Sequence, residues 1–109
     1  MVSVIVEKNR NKEFVRFICS GHAEFDEYGR DIVCAALSML VINTVNSIDS
    51  LTNCVIKVTA DEADGRIDVN FPNAASKEAH LLIDSMILGI NGVIETYGEE
   101  YASLIIKEV

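Results

Sequence analysis

The chain has 109 residues, half of them hydrophobic, and 17 acidic against 9 basic side chains give it a formal net charge of −8. A chain of this length makes one domain with one core, so we treat residues 1–109 as a single domain whose pocket should lie at an edge or at a subunit interface. The acidic balance argues against binding of nucleic acid through a basic patch, and it favours either plain solubility or the encounter with a basic partner.

Two strands are predicted at the start of the chain. The first, VSVIVEK at 2–8, has valines at every second position from 2 to 6 and is rich in β-branched residues, and a polar turn separates it from EFVRFICSG at 13–21. The two strands would form the arms of a hairpin. A regular alternation places Phe17 and Cys19 on one face of the second strand and Phe14 on the other.

The segment HAEFDEYGR at 22–30 follows neither a strand nor a helix period, so we expect a loop. Asp31 is a suitable N-cap for a helix that enters at Ile32. This helix is apolar nearly all round for its first three turns, which predicts burial on more than one side. In a domain this small, the second buried side would suit contact with another subunit.

The remaining pattern predicts two strands, a second helix and a final strand. The three strands are NCVIKVTA at 53–60, RIDVNF at 66–71 and YASLIIKEV at 101–109. The second helix covers about 77–97, with Ser76 or Asn73 as its N-cap. The order ββαββαβ, with two long helices and about five strands in a mixed sheet, fits an α+β fold built as a two-layer sandwich.

Cys34 and His22 are the residues that could carry chemistry. An N-cap at Asp31 would put Cys34 in the first helical turn, beside unpaired backbone N–H groups and the positive end of the helix dipole. Such a position lowers the pKa of a cysteine, and the same N–H groups could stabilise an oxyanion. With His22 as the base, the pair would suffice for thiol proteolysis, and the loop at 23–30 could cover a substrate segment.

Other interpretations fit the same residues. A cysteine in an apolar helix is commonly a small core hydrophobe, and a histidine at a strand end commonly makes surface hydrogen bonds. Cys19, His22, Cys34 and Cys54 could together hold zinc, but only the Cys19–His22 spacing resembles half of such a site. We therefore expect no metal and no cofactor. His80, near the start of the second helix, is interpreted as a solvated helix residue.

The three cysteines show no paired spacing, and Met1 leads directly into the first strand without a signal peptide. The longest apolar run, near 32–42, is shorter than a membrane span and is followed by polar residues. We therefore expect free thiols, a cytoplasmic location and no association with a membrane.

The stretch Ser20-Gly21-His22-Ala23, followed by GRDIVCAA at 29–36 and by Ser38, resembles the ribosomal-processing cysteine protease family (Prp). The likeness extends over nearly the whole chain in length and in element order. It implies a cytoplasmic thiol endopeptidase, a hydrolase that removes a short N-terminal extension from a large-subunit ribosomal protein during ribosome assembly. The resemblance also implies that this extension ends in an aromatic, apolar run, and that the enzyme is a homodimer.

The resemblance also assigns roles by motif position. It implies that His22 and Cys34 are the catalytic pair, and that Asp31 occupies an acidic position that orients His22 or caps the helix. These two roles compete, because an unpaired carboxylate near the sulfur would oppose formation of the thiolate. Ser38, one turn after Cys34 on the same helix face, matches the motif as a possible supporting residue.

Gly21 and Gly29, at the two ends of the loop, would be hinge or close-approach positions. The loop's acidic residues could attract a basic ribosomal protein through opposite charge; they are Glu24, Asp26 and Glu27. The alternative to a protease is a non-catalytic dimeric module that binds a ribosomal protein or an assembly intermediate.

Overall fold

The computed structural model describes residues 1–21, 28–61, 63 and 65–109, and for residues 28–31 it describes the backbone alone. The strands and helices of this part of the chain follow in the order β1 Val2–Lys8, β2 Phe14–Ser20, α1 Tyr28–Leu51, β3 Lys57–Asp61, β4 Arg66–Asn70, α2 Lys77–Tyr97 and β5 Ala102–Glu108. The predicted order ββαββαβ and the two-layer α+β class are confirmed.

The five strands form one sheet in the order β3-β4-β2-β1-β5. Three neighbouring pairs are antiparallel, and β1 and β5 run parallel, so the sheet is mixed as predicted. Both helices pack on one face of the sheet, where the alternate residues Val4 and Val6 of β1 are fully buried beside Phe17 of β2 and Val69 of β4. The hydrophobic core therefore lies between this face and the two helices.

The alternation of β2 is interrupted at Val15. Two consecutive residues of β1 pair with Arg16 and with Phe14, so Val15 is an extra residue in the ladder and forms a bulge. The bulge turns Phe14 to the same face as Phe17 and Cys19, and all three are buried. The prediction that Phe14 lies on the face opposite Phe17 and Cys19 is wrong, because a strict period of two does not allow for the extra residue.

The first helix begins earlier than predicted. It starts at Tyr28, so Asp31 is its fourth residue and not its N-cap, and Gly29 lies in its first turn and not in a loop. The second helix has the predicted bounds, and Ser76 is its N-cap, with the Ser76 hydroxyl accepting a hydrogen bond from the Ala79 N–H at 3.2 Å. The difference follows from capping, since a cap contributes only about 1 kcal/mol and a longer helix can override it.

The strand predicted at 53–60 is shorter in the structure. β3 begins at Lys57, where its pairing with the five residues of β4 begins. The preceding residues bond to the helix ends instead of the sheet: the Cys54 N–H donates to the Thr52 hydroxyl at 3.1 Å, and the Cys54 sulfur accepts from the Ser76 N–H at 3.5 Å.

Among the described residues, Ile32–Leu51 of α1 forms a helix long and apolar enough, by length and composition alone, to cross a membrane. The longest apolar run does end near residue 42, but the helix continues through Asn43 and Thr44 to Leu51, so the expectation that the segment is too short to span a membrane is wrong by length and composition. A core helix of a globular domain satisfies the same criterion, and Leu37 and Val41 of α1 are fully buried in the core. Only 28% of the apolar segment is buried within the chain.

The helical layer stops short of β3. All five residues of β3 are exposed, and Val58, whose neighbour in the register is the fully buried Val69, is 45% exposed. The inner face of the sheet is therefore covered by helices over β2 and β1 and is left open at β3. This opening positions the candidate site.

Candidate active site

A cleft of about 440 Å³ lies between α1 and the open end of the sheet. Its helical wall consists of Cys34, Ser38, Ile42, Val45 and Asn46. These residues recur at spacings of three and four along α1, so they share one face of the helix. The nucleophile predicted from the sequence thus lies at one end of a continuous stripe that faces the cleft.

The opposite wall is the inner face of the sheet. Cys19 pairs with Ile67, and Ile67 pairs with Ala60, so these three residues form one row across β2, β4 and β3. All three line the cleft, together with Val58 two residues along β3. Every side chain of this row is apolar or a neutral thiol, so the row offers hydrophobic contact. The polar side chains of the lining are Ser38 and Asn46 on the helix and Asp61 and Arg66 on the sheet.

Cys34 is the seventh residue of α1, not a residue of its first turn. With a rise of 1.5 Å per residue, the helix start lies about 9 Å from Cys34. At this depth a backbone N–H belongs to the helical ladder, and the dipole effect is confined to the first turn. The predicted placement of Cys34 beside unpaired N–H groups is therefore wrong. Its partial exposure in the cleft is what makes its thiol accessible.

Cys19 is the second thiol at this end of the cleft. It is 5% exposed, and burial raises its pKa to about 11, with the charge on Cys34 as the next cause. At neutral pH Cys19 is therefore a protonated thiol, and only the thiolate is strongly nucleophilic. Cys34 is the more exposed of the two thiols at this end of the cleft.

Gly21 is the residue before His22 in the sequence, and it lines the same cleft as Cys34. It has a φ of +116°, and a Cβ atom at this position would clash with the backbone carbonyl of Met1. Both features require glycine here. The predicted base His22 lies outside the described residues, as does the side chain of Asp31. The acidic loop residues Glu24, Asp26 and Glu27 also lie outside the described residues.

The other residues of the zinc hypothesis do not converge among the described side chains. Cys54 lies between α1 and β3, where its sulfur is 3.9 Å from the carbonyl oxygen of Ala74, just before α2, and it does not line the cleft. No group of three or more His, Cys, Asp or Glu side chains in the described part of the chain is arranged to hold a metal ion.

His80 packs against a residue of the hydrophobic core. Its ring stacks on the buried ring of Phe14 at a centroid distance of 4.4 Å, and its Nε2 lies 3.3 Å from a carboxylate oxygen of Asp84. His80 lies on α2 and does not line the cleft that contains Cys34.

Comparison with known proteins identifies the family. The family model for the cysteine protease Prp matches residues 1–102. The chain belongs to the Prp family of cysteine proteases. Its curated relatives include the ribosomal processing cysteine protease Prp of Staphylococcus aureus strain Mu50, which is 30% identical over 99 residues that cover 91% of this chain and 93% of the relative. The Prp of Bacillus subtilis strain 168 is 29% identical over 101 residues, which cover 89% of this chain and 90% of the relative.

Solved structures agree with this family assignment. The fold matches S. aureus Prp in complex with a substrate peptide, with a TM-score of 0.89 and 29% identity over 98% of this chain and 100% of that one. It also matches S. aureus Prp in complex with a covalently linked product peptide, with a TM-score of 0.86 and 30% identity over the same shares of the two chains. A cysteine protease in this family acts as a thiol peptidase.

Sequence reasoning missed the part of the site that lies away from Cys34. Ile42, Val45 and Asn46 continue the stripe of Cys34 and Ser38 along α1. The signal was present, because a helix that is apolar nearly all round must use its second side for something other than its own core. What the sequence lacked was the opposite wall, which depends on α1 and α2 stopping short of β3.

Proposed function

We propose that this chain is a cysteine endopeptidase that removes a short N-terminal extension from a large-subunit ribosomal protein during ribosome assembly. Cys34 is the nucleophile, and His22 is the general base and acid. The observation that carries the proposal is the position of Cys34, half-buried at one end of an apolar cleft that can hold an extended peptide. Membership of the Prp family supplies the reaction class.

The proposed reaction has two steps. The Cys34 thiolate attacks the scissile carbonyl, and the tetrahedral intermediate collapses as the leaving amine takes a proton from protonated His22. The new N-terminus departs and the extension remains bound to Cys34 as a thioester. His22 then removes a proton from water, which attacks the thioester and releases the extension with a free carboxylate. The covalently linked product peptide of the S. aureus relative supports a covalent step.

Ser38 is the proposed supporting residue on the helical wall. It lies four residues after Cys34 and lines the same cleft, so its hydroxyl can donate to or accept from the substrate backbone. The N–H groups at the start of α1 are too far from Cys34 to serve its oxyanion, and donors must come from groups around the Cys34 end of the cleft. Of the two roles expected for Asp31, orientation of His22 is the one proposed, because Asp31 is the fourth residue of α1 and not its cap.

A ribosomal protein is the proposed substrate for two reasons. The S. aureus and B. subtilis relatives are named ribosomal processing proteases, and the S. aureus protein binds a substrate peptide. The net charge of −8 would speed encounter with a basic protein, as ribosomal proteins are, while it disfavours direct binding of nucleic acid. Action on such a substrate places the enzyme in the cytoplasm.

A homodimer is proposed from the apolar surface of α1. Met39 and Leu51 are exposed large hydrophobic residues of this helix that do not line the cleft, and most of the helix's apolar segment is not buried within the chain. An apolar helix surface of this kind is typical of an interface between subunits. A second copy of the chain is the proposed partner.

The two histidines of the chain provide a matched test. His22→Ala should lower kcat/KM by about 10²- to 10⁴-fold, the usual contribution of a general base, with no change in thermal unfolding. His80→Ala should cost some stability, because it removes the contact with Phe14, and should leave the rate per folded molecule unchanged. The substrate is a basic protein that carries an N-terminal extension, and mass spectrometry detects the new terminus. Binding without any cut by the wild-type protein would favour the non-catalytic module instead.

A further inference from the structure

The helical wall of the cleft is long enough to contact several consecutive residues of an extended peptide. Cys34, Ser38, Ile42 and Asn46 stand at intervals of four residues on α1 and all line the cleft. At 1.5 Å per residue, Asn46 lies about 18 Å along the helix from the nucleophile. An extended peptide advances about 3.3 Å per residue, so about five or six of its residues cover this length.

The middle of the cleft is apolar on both walls. Ile42 on the helix is 42% exposed, and Val58 on the sheet is 45% exposed, with Ile67 also lining this part. Two large aliphatic side chains left this exposed in one cleft would be covered by apolar side chains of a bound peptide. A peptide with polar residues at this level would bury them without partners, which is unfavourable.

Asn46 is the polar side chain of the helical wall that lies farthest from Cys34 along α1. The charged residues of the lining, Asp61 and Arg66, follow the Ala60–Ile67–Cys19 row of the sheet and so lie toward the Cys34 end. Within the described part of the chain the Asn46 amide makes no hydrogen bond and is exposed. A primary amide offers both donors and an acceptor, which matches the N–H and C=O groups of an extended peptide backbone.

We infer that Asn46 is a specificity-determining residue that hydrogen-bonds the substrate peptide about five or six residues from the scissile bond, so that cleavage depends on the length of the peptide. This inference rests on the proposed function, because the occupant it names is the substrate peptide. Continuity of the cleft with Cys34 is the reason for choosing a peptide over a second copy of the chain. A second copy in the cleft is one of the outcomes that the experiment separates.

The experiment measures kcat/KM for two sets of peptides, one extended step by step before the scissile bond and the other after it. For the wild-type enzyme, one set should rise in kcat/KM until about six residues are present and then level off. Asn46→Ala should lower kcat/KM about 2- to 10-fold for the longest peptides of that set, as expected for one lost hydrogen bond, and leave peptides of three residues or fewer unchanged. Asn43→Ala is the matched control, because Asn43 is an exposed asparagine of α1 that does not line the cleft.

Two results would overturn the inference: no dependence on length in either set, or an equal effect of Asn46→Ala on short and long peptides. A change in oligomeric state with Asn46→Ala, seen by light scattering, would assign the cleft to a second copy of the chain instead. The same peptides are also titrated against Cys34→Ala to measure binding alone. Length-dependent binding without cleavage by the wild type would contradict the proposed function and leave the inference about the cleft intact.

Discussion

The two helices differ in how they use their apolar residues. α2 buries one face in the core through Ala79, Ile83, Met86 and Ile90 and exposes the other face to solvent. α1 is apolar on nearly every side, and its Cys34–Asn46 face lines the cleft while other apolar residues stay exposed. The comparison teaches that α2 serves the stability of the fold, whereas α1 carries more apolar surface than the core needs and uses the excess for the site.

The largest expected effect on stability tests the role of α2. Ile83→Ala should lower the free energy of unfolding by about 2–5 kcal/mol, because it leaves a cavity in the core where Ile83 is fully buried. Leu88→Ala on the same helix should change it by less than about 0.5 kcal/mol, since Leu88 is 76% exposed. Urea titration measures both. An equal loss of stability in the two variants would contradict the one-sided packing of α2.

A pH effect tests the environment of the thiol that faces α1 from the sheet. The pKa of Cys19 is raised from 9.0 to about 11, chiefly by burial, so the folded state holds this proton more tightly than the unfolded state. The resulting stabilisation is complete below pH 9 and is lost as the pH rises from 9 to 11, with a size on the order of 2 kcal/mol. Unfolding titrations across this range should show the fall in wild type and a shallower one in Cys19→Ala. The same slope in both proteins would contradict a buried, neutral Cys19.

The smallest expected effect tests the contact between the two helices. A Cβ atom at Gly92 would meet nothing within 4 Å, so Gly92→Ala should raise the free energy of unfolding by about 0.5–1 kcal/mol through helix propensity. A Cβ atom at Gly89 would lie 2.9 Å from Cδ2 of Leu40 on α1, so Gly89→Ala should gain less than Gly92→Ala, by about 1 kcal/mol. Thermal unfolding of the two variants compares them directly, and an equal gain would mean that α1 and α2 are not closely packed at Gly89.

The difference between α1 and α2 also explains which parts of the structure could be predicted from the sequence. The bounds of α2 follow from its sequence, because its apolar residues keep one helical period and Ser76 caps it. The start of α1 could not be predicted in this way. Its apolar residues do not mark one face of the helix, so no periodic position shows where the helix begins, and Asp31 is a residue type that often caps a helix. The bulge at Val15 and the late start of β3 depend on pairing between strands, which a local period does not contain. Cys34 was predicted as the nucleophile from its motif, whereas the length of the cleft required the position of β3.

The three cysteines allow the most direct test of the central claim, which is that Cys34 performs the cleavage. Each cysteine is replaced by alanine in turn, and cleavage of a peptide that carries the extension is followed by mass spectrometry. Cys34→Ala should lose at least about 10³-fold in kcat while it still folds, because a nucleophile has no substitute. Cys19→Ala and Cys54→Ala should keep kcat within about tenfold of the wild type. Cleavage by Cys34→Ala at a rate near that of the wild type would contradict the account.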